Sequence, residues 1–168
     1  MRLRDCYKFS IVPDSIDASF VLGGQGNLWA ESIPHYRQVE YMTWPRAMAI
    51  SETLWNETDS RNWDFFIQRV ESQFRYLDRL NVNYARSIYD PIISPSINDG
   101  ELKIELTTEI SGLDIFYTFD NTNPDCYSNL YTTALTVPKN ATMLKVVTYR
   151  GKCPIGKQIT LTIEELKE

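Results

Sequence analysis

The stretch Val21-Leu-Gly-Gly-Gln-Gly-Asn-Leu-Trp-Ala-Glu31 decides the fold of the first half of the chain. Residues 20–22 form a short apolar run that ends at Gly23-Gly24, which is typical of a buried strand leading into a loop. The glycines allow the backbone to turn sharply without placing a side chain in a cleft. We therefore predict a strand at residues 20–22 and a loop that presents Trp29 and Glu31.

Trp29 and Glu31 carry the two chemical groups that a sugar pocket needs. An indole ring offers a flat apolar surface to the C–H face of a sugar. A carboxylate accepts charge-assisted hydrogen bonds from hydroxyl groups. The spacing alone fits equally well a structural alternative, in which Trp29 belongs to the core and Glu31 lies on the surface. From these residues alone, both interpretations stay open.

Length, charge and hydropathy exclude several classes of partner. The chain has 168 residues, enough for one ordinary domain or two small ones. Its 17 basic and 22 acidic residues give a net charge of -5, so we expect no nucleic-acid-binding surface. No apolar run approaches the roughly 20 residues of a membrane span. No signal peptide opens the sequence.

The cysteines and the single histidine give no pattern for a metal or cofactor site. Cys6, Cys126 and Cys153 lack the spacing of metal ligands or of a disulfide scaffold. One bridge between Cys126 and Cys153 remains open, as do free or half-buried thiols. We expect His35, which follows a proline, to be a solvated residue at the entry to a helix. We predict neither a metal nor a cofactor.

Three helices are predicted after the glycine loop, at residues 36–43, at residues 46–55 and from about Asn62 to Leu80. Pro45 suits the first turn of the second helix, because its missing N–H leaves no hydrogen bond unmade there. In the longest helix, apolar residues recur at the i, i+3, i+4, i+7 spacing of an amphipathic helix.

The remaining tryptophans and charged residues of this half receive structural interpretations. The tryptophans at helical positions are predicted to be core anchors: Trp44, Trp55 and Trp63. Arg46 could pair with a carboxylate such as Glu40 or Glu52, and we favour a role in packing for it.

The second half is predicted to be all-β. Residues 87–96 carry two prolines and no helical period, which indicates a linker or the first edge of a new domain. Apolar and polar residues then alternate at 102–106 and 113–119, which predicts two strands, and further strands are predicted at 144–149 and 159–163. We predict a small antiparallel, immunoglobulin-like β-sandwich. Four tyrosines could form a glycan-binding strip, although half-buried core positions are the commoner role: Tyr117, Tyr127, Tyr131 and Tyr149.

The first half closely resembles family 20 β-N-acetylhexosaminidases. The resemblance runs in order through Tyr7-Lys8-Phe9, the Val21–Glu31 stretch and Val39-Glu-Tyr-Met-Thr-Trp-Pro-Arg-Ala-Met-Ala-Ile-Ser-Glu-Thr-Leu-Trp55, and continues to residue 86. In that family this region ends a (β/α)8 barrel. The resemblance implies an α+β chain in which residues 1–90 form an incomplete barrel end with the last strand and three helices.

Residues 91–168 resemble the C-terminal module of chitobiases and hexosaminidases. The matching residues are Ile115-Phe-Tyr-Thr-Phe-Asp120, Pro124, Leu130-Tyr-Thr132 and Leu144-Lys-Val-Val-Thr-Tyr149. The family usually has glycine after the aspartate, where this chain has Asn121. Asparagine tolerates a positive φ, so the same turn is expected.

The resemblance implies binding roles for two residues and catalytic roles for none. Trp29 would line the pocket around a terminal N-acetylhexosamine, and Glu31 would bind hydroxyls on the side away from the scissile bond. The family uses the acetamido oxygen of the substrate as nucleophile. An adjacent Asp-Glu pair orients that group and supplies the acid/base. The chain contains no Asp-Glu dipeptide, so we predict that it has no turnover alone.

The function implied is therefore that of the C-terminal part of a glycosidase. Its parent would remove terminal N-acetylhexosamine from glycans or chitin-type oligosaccharides by substrate-assisted retaining hydrolysis, outside the cell or in the periplasm. The alternative is a non-catalytic carbohydrate-binding or structural β-sandwich module. An unpartnered barrel edge also predicts self-association of the isolated chain. The linkage cleaved and the choice between gluco and galacto substrates stay open.

Overall fold

The computed structural model describes residues 1–98 and 100–167. The chain divides into two compact units, Met1–Ala85 and Arg86–Glu168. The first unit is helical and the second is built from antiparallel sheets, so the protein as a whole mixes α and β structure.

Four α-helices form the first unit: α1 (Leu3–Lys8), α2 (Tyr36–Thr43), α3 (Arg46–Trp55) and α4 (Trp63–Arg79). The three predicted helices are confirmed, and α1 was not predicted. Asn62 caps α4, because its side-chain oxygen accepts the backbone N–H of Phe65 at 3.0 Å. The core of this unit consists mainly of the inner face of α4 and residues of α1: Leu3, Cys6, Tyr7, Phe66, Ile67, Val70, Phe74 and Leu77.

Arg46 supports α2 through backbone carbonyl groups. Its guanidinium donates to the carbonyl oxygens of Tyr41 at 3.2 Å and Met42 at 3.1 Å, near the end of α2. Carbonyls in the last turn of a helix lack partners within the helix, so this contact caps α2. The two carboxylates suggested as partners bind elsewhere: Glu40 accepts the backbone N–H of Asn83, and Glu52 pairs with Arg69.

The predicted strand at residues 20–22 is wrong. Ala18–Phe20 forms a 3-10 turn, and residues 21–30 have no regular secondary structure. Phe20 and Leu22 are exposed. A strand needs a neighbouring strand to pair its backbone N–H and C=O groups, and residues 1–85 contain no strand. An apolar run without a partner stays extended but unpaired.

The second unit contains eight strands within its described residues: β1 (Ile92–Asn98), β2 (Glu101–Thr107), β3 (Asp114–Thr118), β4 (Asn129–Leu130), β5 (Leu135–Thr136), β6 (Met143–Arg150), β7 (Cys153–Pro154) and β8 (Ile159–Thr162). One sheet has the order β1-β2-β5. The other has the order β4-β3-β6-β7, with β8 also paired to β6. All the pairs are antiparallel. The four predicted strands are confirmed as β2, β3, β6 and β8.

The segment at residues 87–96 is the edge of the new domain rather than a linker. Its second part begins β1, whose register with β2 runs from Ile92 opposite Thr107 to Asn98 opposite Glu101. Pro95 lies in the middle of this strand. Because β1 is an edge strand, the missing N–H of Pro95 costs no ladder hydrogen bond on the outer side.

The core of the second unit is formed by apolar residues of both sheets. Ile104 and Leu106 of β2 join Leu144 and Val146 of β6 in one buried cluster. On the opposite face of β3 and β6, Phe116, Val147 and Tyr149 form a second, smaller cluster with Cys126. Strand β6 is therefore buried on both faces, with Leu144 and every residue from Val146 to Tyr149 buried.

The loop from residue 119 to residue 128 is held by side-chain hydrogen bonds. Asn121 has a φ of 67°, so the expectation that asparagine serves this turn is confirmed. The Lys145 ammonium donates to the Asn121 carbonyl at 2.7 Å and to the Asn123 side chain at 3.1 Å. The carboxylate of Asp120 accepts the backbone N–H of Thr122 at 3.1 Å. The loop is therefore attached to β6.

Candidate functional site

The stretch from Val21 to Glu31 begins at a capped turn. The Asp17 carboxylate accepts the backbone N–H of Ser19 at 2.8 Å. This hydrogen bond holds the pKa of the Asp17 carboxyl below its ordinary value. Gly23 then has a φ of 150°, in the region that favours glycine, and the chain continues past α3.

Two of the loop glycines lie directly against α3. A Cβ atom built on Gly24 would lie 3.1 Å from Cδ2 of Leu54. One built on Gly26 would lie 2.6 Å from Cδ1 of Ile50, closer than carbon atoms pack. The glycines thus permit close approach to a helix as well as a turn. Sequence reasoning found the turn and missed the helix contact.

Trp29 and Glu31 lie on the surface, beyond the glycines. Trp29 is 73% exposed, and Glu31 is also exposed. The alternative that placed Trp29 in the core is therefore wrong. The indole face and the carboxylate are both available to a ligand from solvent. They reach the surface on a segment without regular structure, at the end of the contact with α3.

A cavity of about 230 Å³ lies beside the loop rather than around the two predicted residues. Gly24–Asn27 line one side, residues of α1 such as Cys6 line another, and Ile50 and Leu54 of α3 complete it. Its lining includes neither Trp29 nor Glu31. The first unit therefore presents these two residues on an open face, with a cavity behind the loop that carries them.

Thr53 and the Arg69–Glu52 pair fix the position of α3. The buried Thr53 hydroxyl donates to the carbonyl of Ala49 at 2.9 Å and lies 3.2 Å from that of Tyr7 in α1. Arg69 of α4 pairs with Glu52 of α3. The pKa of Tyr7 is raised mainly by burial and, to a smaller extent, by the nearby Glu52 carboxylate. Helix α3 is thus attached to both α1 and α4 (Leu3–Lys8 and Trp63–Arg79).

The other tryptophans divide between core and surface. Trp44 and Trp63 are half-buried, and Trp63 meets the ring of Tyr7 edge to face with the centroids 5.1 Å apart. Trp55 is 86% exposed, so its prediction as a core anchor is wrong. The buried face of α3 centres on Ala49 and Thr53, and Trp55 lies at the last residue of the helix, away from that face.

The four tyrosines of the sandwich do not form a surface strip. Tyr149 is buried, and burial raises its pKa. Tyr117 and Tyr131 are half-buried against the main core. Tyr127, at 87% exposed, is the one member of the four that lies open to solvent. A sugar-stacking surface needs adjacent exposed rings, so this arrangement does not support a glycan-binding strip.

The cysteines are free thiols: Cys6 is buried, Cys126 half-buried and Cys153 exposed. His35 is exposed at the N-cap position of α2, as predicted. Across residues 1–98 and 100–167, no cluster of three or more His, Cys, Asp or Glu side chains is arranged to hold a metal ion. None of the helices in the described part of the chain is both long and apolar enough to cross a membrane.

Two family models match successive parts of the chain. Residues 1–58 match the glycosyl hydrolase family 20 catalytic domain. Residues 96–153 match the chitobiase/beta-hexosaminidase C-terminal domain. The first match includes the glycine loop with Trp29 and Glu31, and the second includes strands β2, β3 and β6. Both resemblances inferred from the sequence are thereby confirmed.

The curated relatives that match the chain are named as hexosaminidases. A beta-hexosaminidase of Porphyromonas gingivalis is 28% identical over 156 residues, which cover 89% of this chain and 20% of that protein. A beta-N-acetylhexosaminidase of Cellulomonas fimi is 27% identical over 90 residues, covering 52% of this chain and 18% of that protein. A beta-hexosaminidase of Akkermansia muciniphila is 29% identical over 72 residues, or 42% of this chain and 15% of that protein. The chain thus spans a fifth or less of the length of these relatives.

Proposed function

Because the chain joins part of a family 20 catalytic domain to a chitobiase/hexosaminidase C-terminal domain, we propose that it functions as the C-terminal part of a β-N-acetylhexosaminidase. The whole enzyme would remove terminal N-acetylhexosamine from glycans or chitin-type oligosaccharides by substrate-assisted retaining hydrolysis. The observation that carries this proposal is the family match over residues 1–58, which contains the exposed pair Trp29 and Glu31.

In this proposal Trp29 and Glu31 form one wall of the sugar pocket. The exposed indole would stack on the C–H face of the terminal sugar. The exposed Glu31 carboxylate would accept hydrogen bonds from its hydroxyls. Both residues bind substrate and neither transfers a proton. Residues 1–90 would then be the end of the catalytic barrel.

The isolated chain is proposed to be inactive. Orientation of the reacting group and general acid–base catalysis each contribute orders of magnitude to the rate. The family obtains both from an adjacent Asp-Glu pair, and the sequence contains no such dipeptide. Glu31 is exposed, without an acidic neighbour in sequence that could orient it as a substitute acid.

For residues 91–168 we propose a structural role, packing as a module of the enzyme, in preference to sugar binding. The burial of Tyr149 and the half-burial of Tyr117 and Tyr131 favour this role. The parent enzyme is proposed to work outside the cell or in the periplasm, where its polymeric substrates lie. Titration with chitooligosaccharides tests the module: binding to the sandwich would favour the carbohydrate-binding alternative.

Self-association of the isolated chain is a further part of the proposal. Large apolar side chains such as Phe20, Leu22 and Trp55 are exposed in the first unit. Contiguous exposed apolar surface favours association in water. Size-exclusion chromatography with light scattering should show dimers or larger species, and a clean monomer at high concentration would count against the expectation.

Hydrolysis of a chromogenic N-acetyl-β-glucosaminide tests the enzymatic proposal. The 168-residue chain alone should give no turnover. A chimera, in which the chain replaces the aligned region of the Porphyromonas gingivalis beta-hexosaminidase, should hydrolyse the substrate. Turnover by the chain alone would refute the proposal that its active site is incomplete. A folded chimera without activity would refute its assignment to the catalytic domain.

A matched pair of substitutions in the chimera tests the role of Glu31. Glu31→Gln should raise KM about tenfold or more, because a hydrogen bond to a charged acceptor is worth about 1.5–3 kcal/mol. Glu57→Gln changes a second exposed carboxylate in the same unit and should leave KM unchanged. Equal KM values for the two variants would contradict the proposal that Glu31 binds the substrate.

A further inference from the structure

We propose that helix α3 positions the pocket wall through Gly24, Gly26, Ile50 and Leu54, which we call the glycine seat. Its functional meaning rests on the sugar-binding role proposed for Trp29 and Glu31. The glycine seat is a positioning element, because none of its four residues is proposed to touch the sugar. It fixes the point at which the loop ends its contact with α3, and thereby the position of Trp29 three residues later.

The distances show that the backbone at Gly26 lies directly against the end of the Ile50 side chain. Cδ1 of Ile50 lies 2.6 Å from the position a Cβ would take on Gly26, and Cγ1 of Ile50 lies 3.9 Å from it. Carbon atoms pack at about 3.5–4.0 Å. The terminal methyl of Ile50 therefore occupies the space that any side chain at residue 26 would need, while the rest of Ile50 does not.

The backbone of α3 has little freedom to yield, so Cδ1 of Ile50 can move away from residue 26 only by rotation about χ2. Ile50 is β-branched, so its χ1 angle is nearly fixed within a helix. Thr53 attaches α3 to the end of α1, and Glu52 attaches it to Arg69 of α4. Residues 21–30, in contrast, have no backbone ladder to hold them. A methyl group added at Gly26 should therefore displace the loop rather than the helix.

A cavity on the α3 side leaves the loop without close packing there. It holds about 230 Å³ and is lined by Gly24–Asn27 together with Ile50 and Leu54. A loop that adjoins an unfilled cavity shifts at lower cost than one surrounded by a close-packed core. Trp29 lies three residues beyond Gly26, so the displacement should reach the indole ring.

The experiment uses the 168-residue chain labelled with 5-fluorotryptophan and observed by fluorine NMR. Trp29→Phe identifies the resonance of Trp29 by its loss. In Gly26→Ala, the Trp29 resonance should shift by more than its line width. The resonance of Trp63, which packs against Tyr7, should stay in place. In Gly26→Ala with Ile50→Val, which deletes only the Cδ1 methyl of Ile50, the Trp29 resonance should return.

The control is Ile50→Val alone, which should leave the Trp29 resonance within its line width. An unmoved Trp29 resonance in folded Gly26→Ala would mean that Ile50 turns aside, and it would overturn the proposal. A shift that Ile50→Val does not reverse would overturn it too. If Gly26→Ala does not fold, Leu54→Ala replaces it. Removal of that side chain beneath Gly24 should shift the Trp29 resonance, and an unchanged resonance would overturn the proposal.

Kinetics in the chimera separate this inference from the proposed function. Gly26→Ala should raise KM at least fivefold with kcat within twofold, because the wall binds substrate and performs no chemistry. The added Ile50→Val should restore KM. A reversible shift of Trp29 without any change in KM would support the glycine seat and would count against the sugar-binding role of Trp29 and Glu31.

Discussion

The two units of the chain differ in how far each buries its own apolar surface. Among the described residues, sixteen of the large apolar side chains that are exposed lie in Met1–Ala85, and three lie in Arg86–Glu168. The two units are nearly equal in length, so size does not explain the difference. The helical unit leaves an apolar surface uncovered, whereas the sandwich encloses its core between two sheets.

Backbone hydrogen bonding explains a second difference between the units, namely which segments form regular secondary structure. A helix pairs its N–H and C=O groups within itself, so α2, α3 and α4 form without other chain segments. A strand needs a neighbour. Strands β3 and β6 find theirs within the second unit, and residues 20–22 find none in the first. The helices of the first unit therefore form without a neighbouring segment, whereas its extended segment at residues 20–22 does not form a strand.

The largest difference should appear when the same truncation is made in each unit. Leu144 is 0% exposed, and Leu54 is 39% exposed. Leu144→Ala should cost about 3 kcal/mol of unfolding free energy, and Leu54→Ala about 1 kcal/mol, because the cost follows the buried area and the cavity left behind. Urea titration with hydrogen-exchange mass spectrometry reports each unit separately. Equal losses would break the comparison between the units.

A second test concerns close packing inside the sandwich. A Cβ on Gly156 would lie 2.5 Å from the Tyr89 carbonyl oxygen. It would also clash with the Thr148 hydroxyl, which donates a hydrogen bond to that carbonyl. Gly156→Ala should therefore cost about 2 kcal/mol through overpacking and loss of a buried hydrogen bond.

Gly100→Ala provides the control for Gly156→Ala. Gly100 has a φ of 79° and open space around its Cβ position, so this variant should lose about 1 kcal/mol from backbone strain alone. The denaturant midpoints of the two variants measure their losses of stability. A Gly156→Ala variant no less stable than Gly100→Ala would contradict the close contact at Tyr89.

Much of this architecture can be predicted from the sequence, and the predictions that were wrong have physical causes. Helical periodicity located α4, and period-two alternation located β2, because both patterns record which face is buried. The strand at residues 20–22 was wrong because strand formation depends on a partner elsewhere. Composition could not show that Gly26 contacts Ile50, since that contact joins segments far apart in the chain.

The site was predicted only in part for the same reason. A glycine-rich run before a tryptophan and a carboxylate indicates a binding loop, and the structure places Trp29 at the surface. Trp55 has the same helical spacing as a core residue, yet it is exposed. A sequence pattern shows which face of a helix is apolar, but it does not show whether another segment covers that face.

A smaller effect is expected in the helical unit from Thr53. Its hydroxyl donates to Ala49 and lies 3.2 Å from the Tyr7 carbonyl, at the junction of α1 and α3. Thr53→Val keeps the shape and removes the donor, which should cost about 1 kcal/mol. Thr160→Val, at an exposed position of β8, is the control and should change stability little. Tryptophan fluorescence follows the first unit, where all four tryptophans lie.

The smallest effect should be a difference in acid sensitivity. Hydrogen bonds from Thr122, Tyr127 and Thr162 hold the pKa values of three carboxyls in the sandwich below their ordinary range: Asp120, Asp125 and Glu165. A pKa lowered by folding gives stability that is present above the unfolded pKa and is lost as the pH falls through the folded one. The sandwich should therefore lose stability below about pH 4.

Asp17 is the corresponding carboxyl in the helical unit, where its pKa is lowered by Ser19. With three such groups against one, the acid-induced loss should be greater in the sandwich. Hydrogen exchange of the two units at successive pH values measures it, with Asp125→Asn as the variant in which the loss becomes smaller. The same pH dependence in both units, or no effect of Asp125→Asn, would contradict the assignment.

The sugar-binding role of the glycine loop is tested most directly by two tryptophans in the active chimera. Trp29 and Trp55 are both exposed residues of the first unit, but Trp29 lies within the stretch Val21–Glu31 and Trp55 lies at the end of α3. Stacking on an aromatic ring is worth about 0.5–1.5 kcal/mol in addition to the apolar area that it buries. Trp29→Ala should therefore lower kcat/KM for the N-acetyl-β-glucosaminide about tenfold or more, and Trp55→Ala should leave it within twofold. Equal values for the two variants would contradict the account.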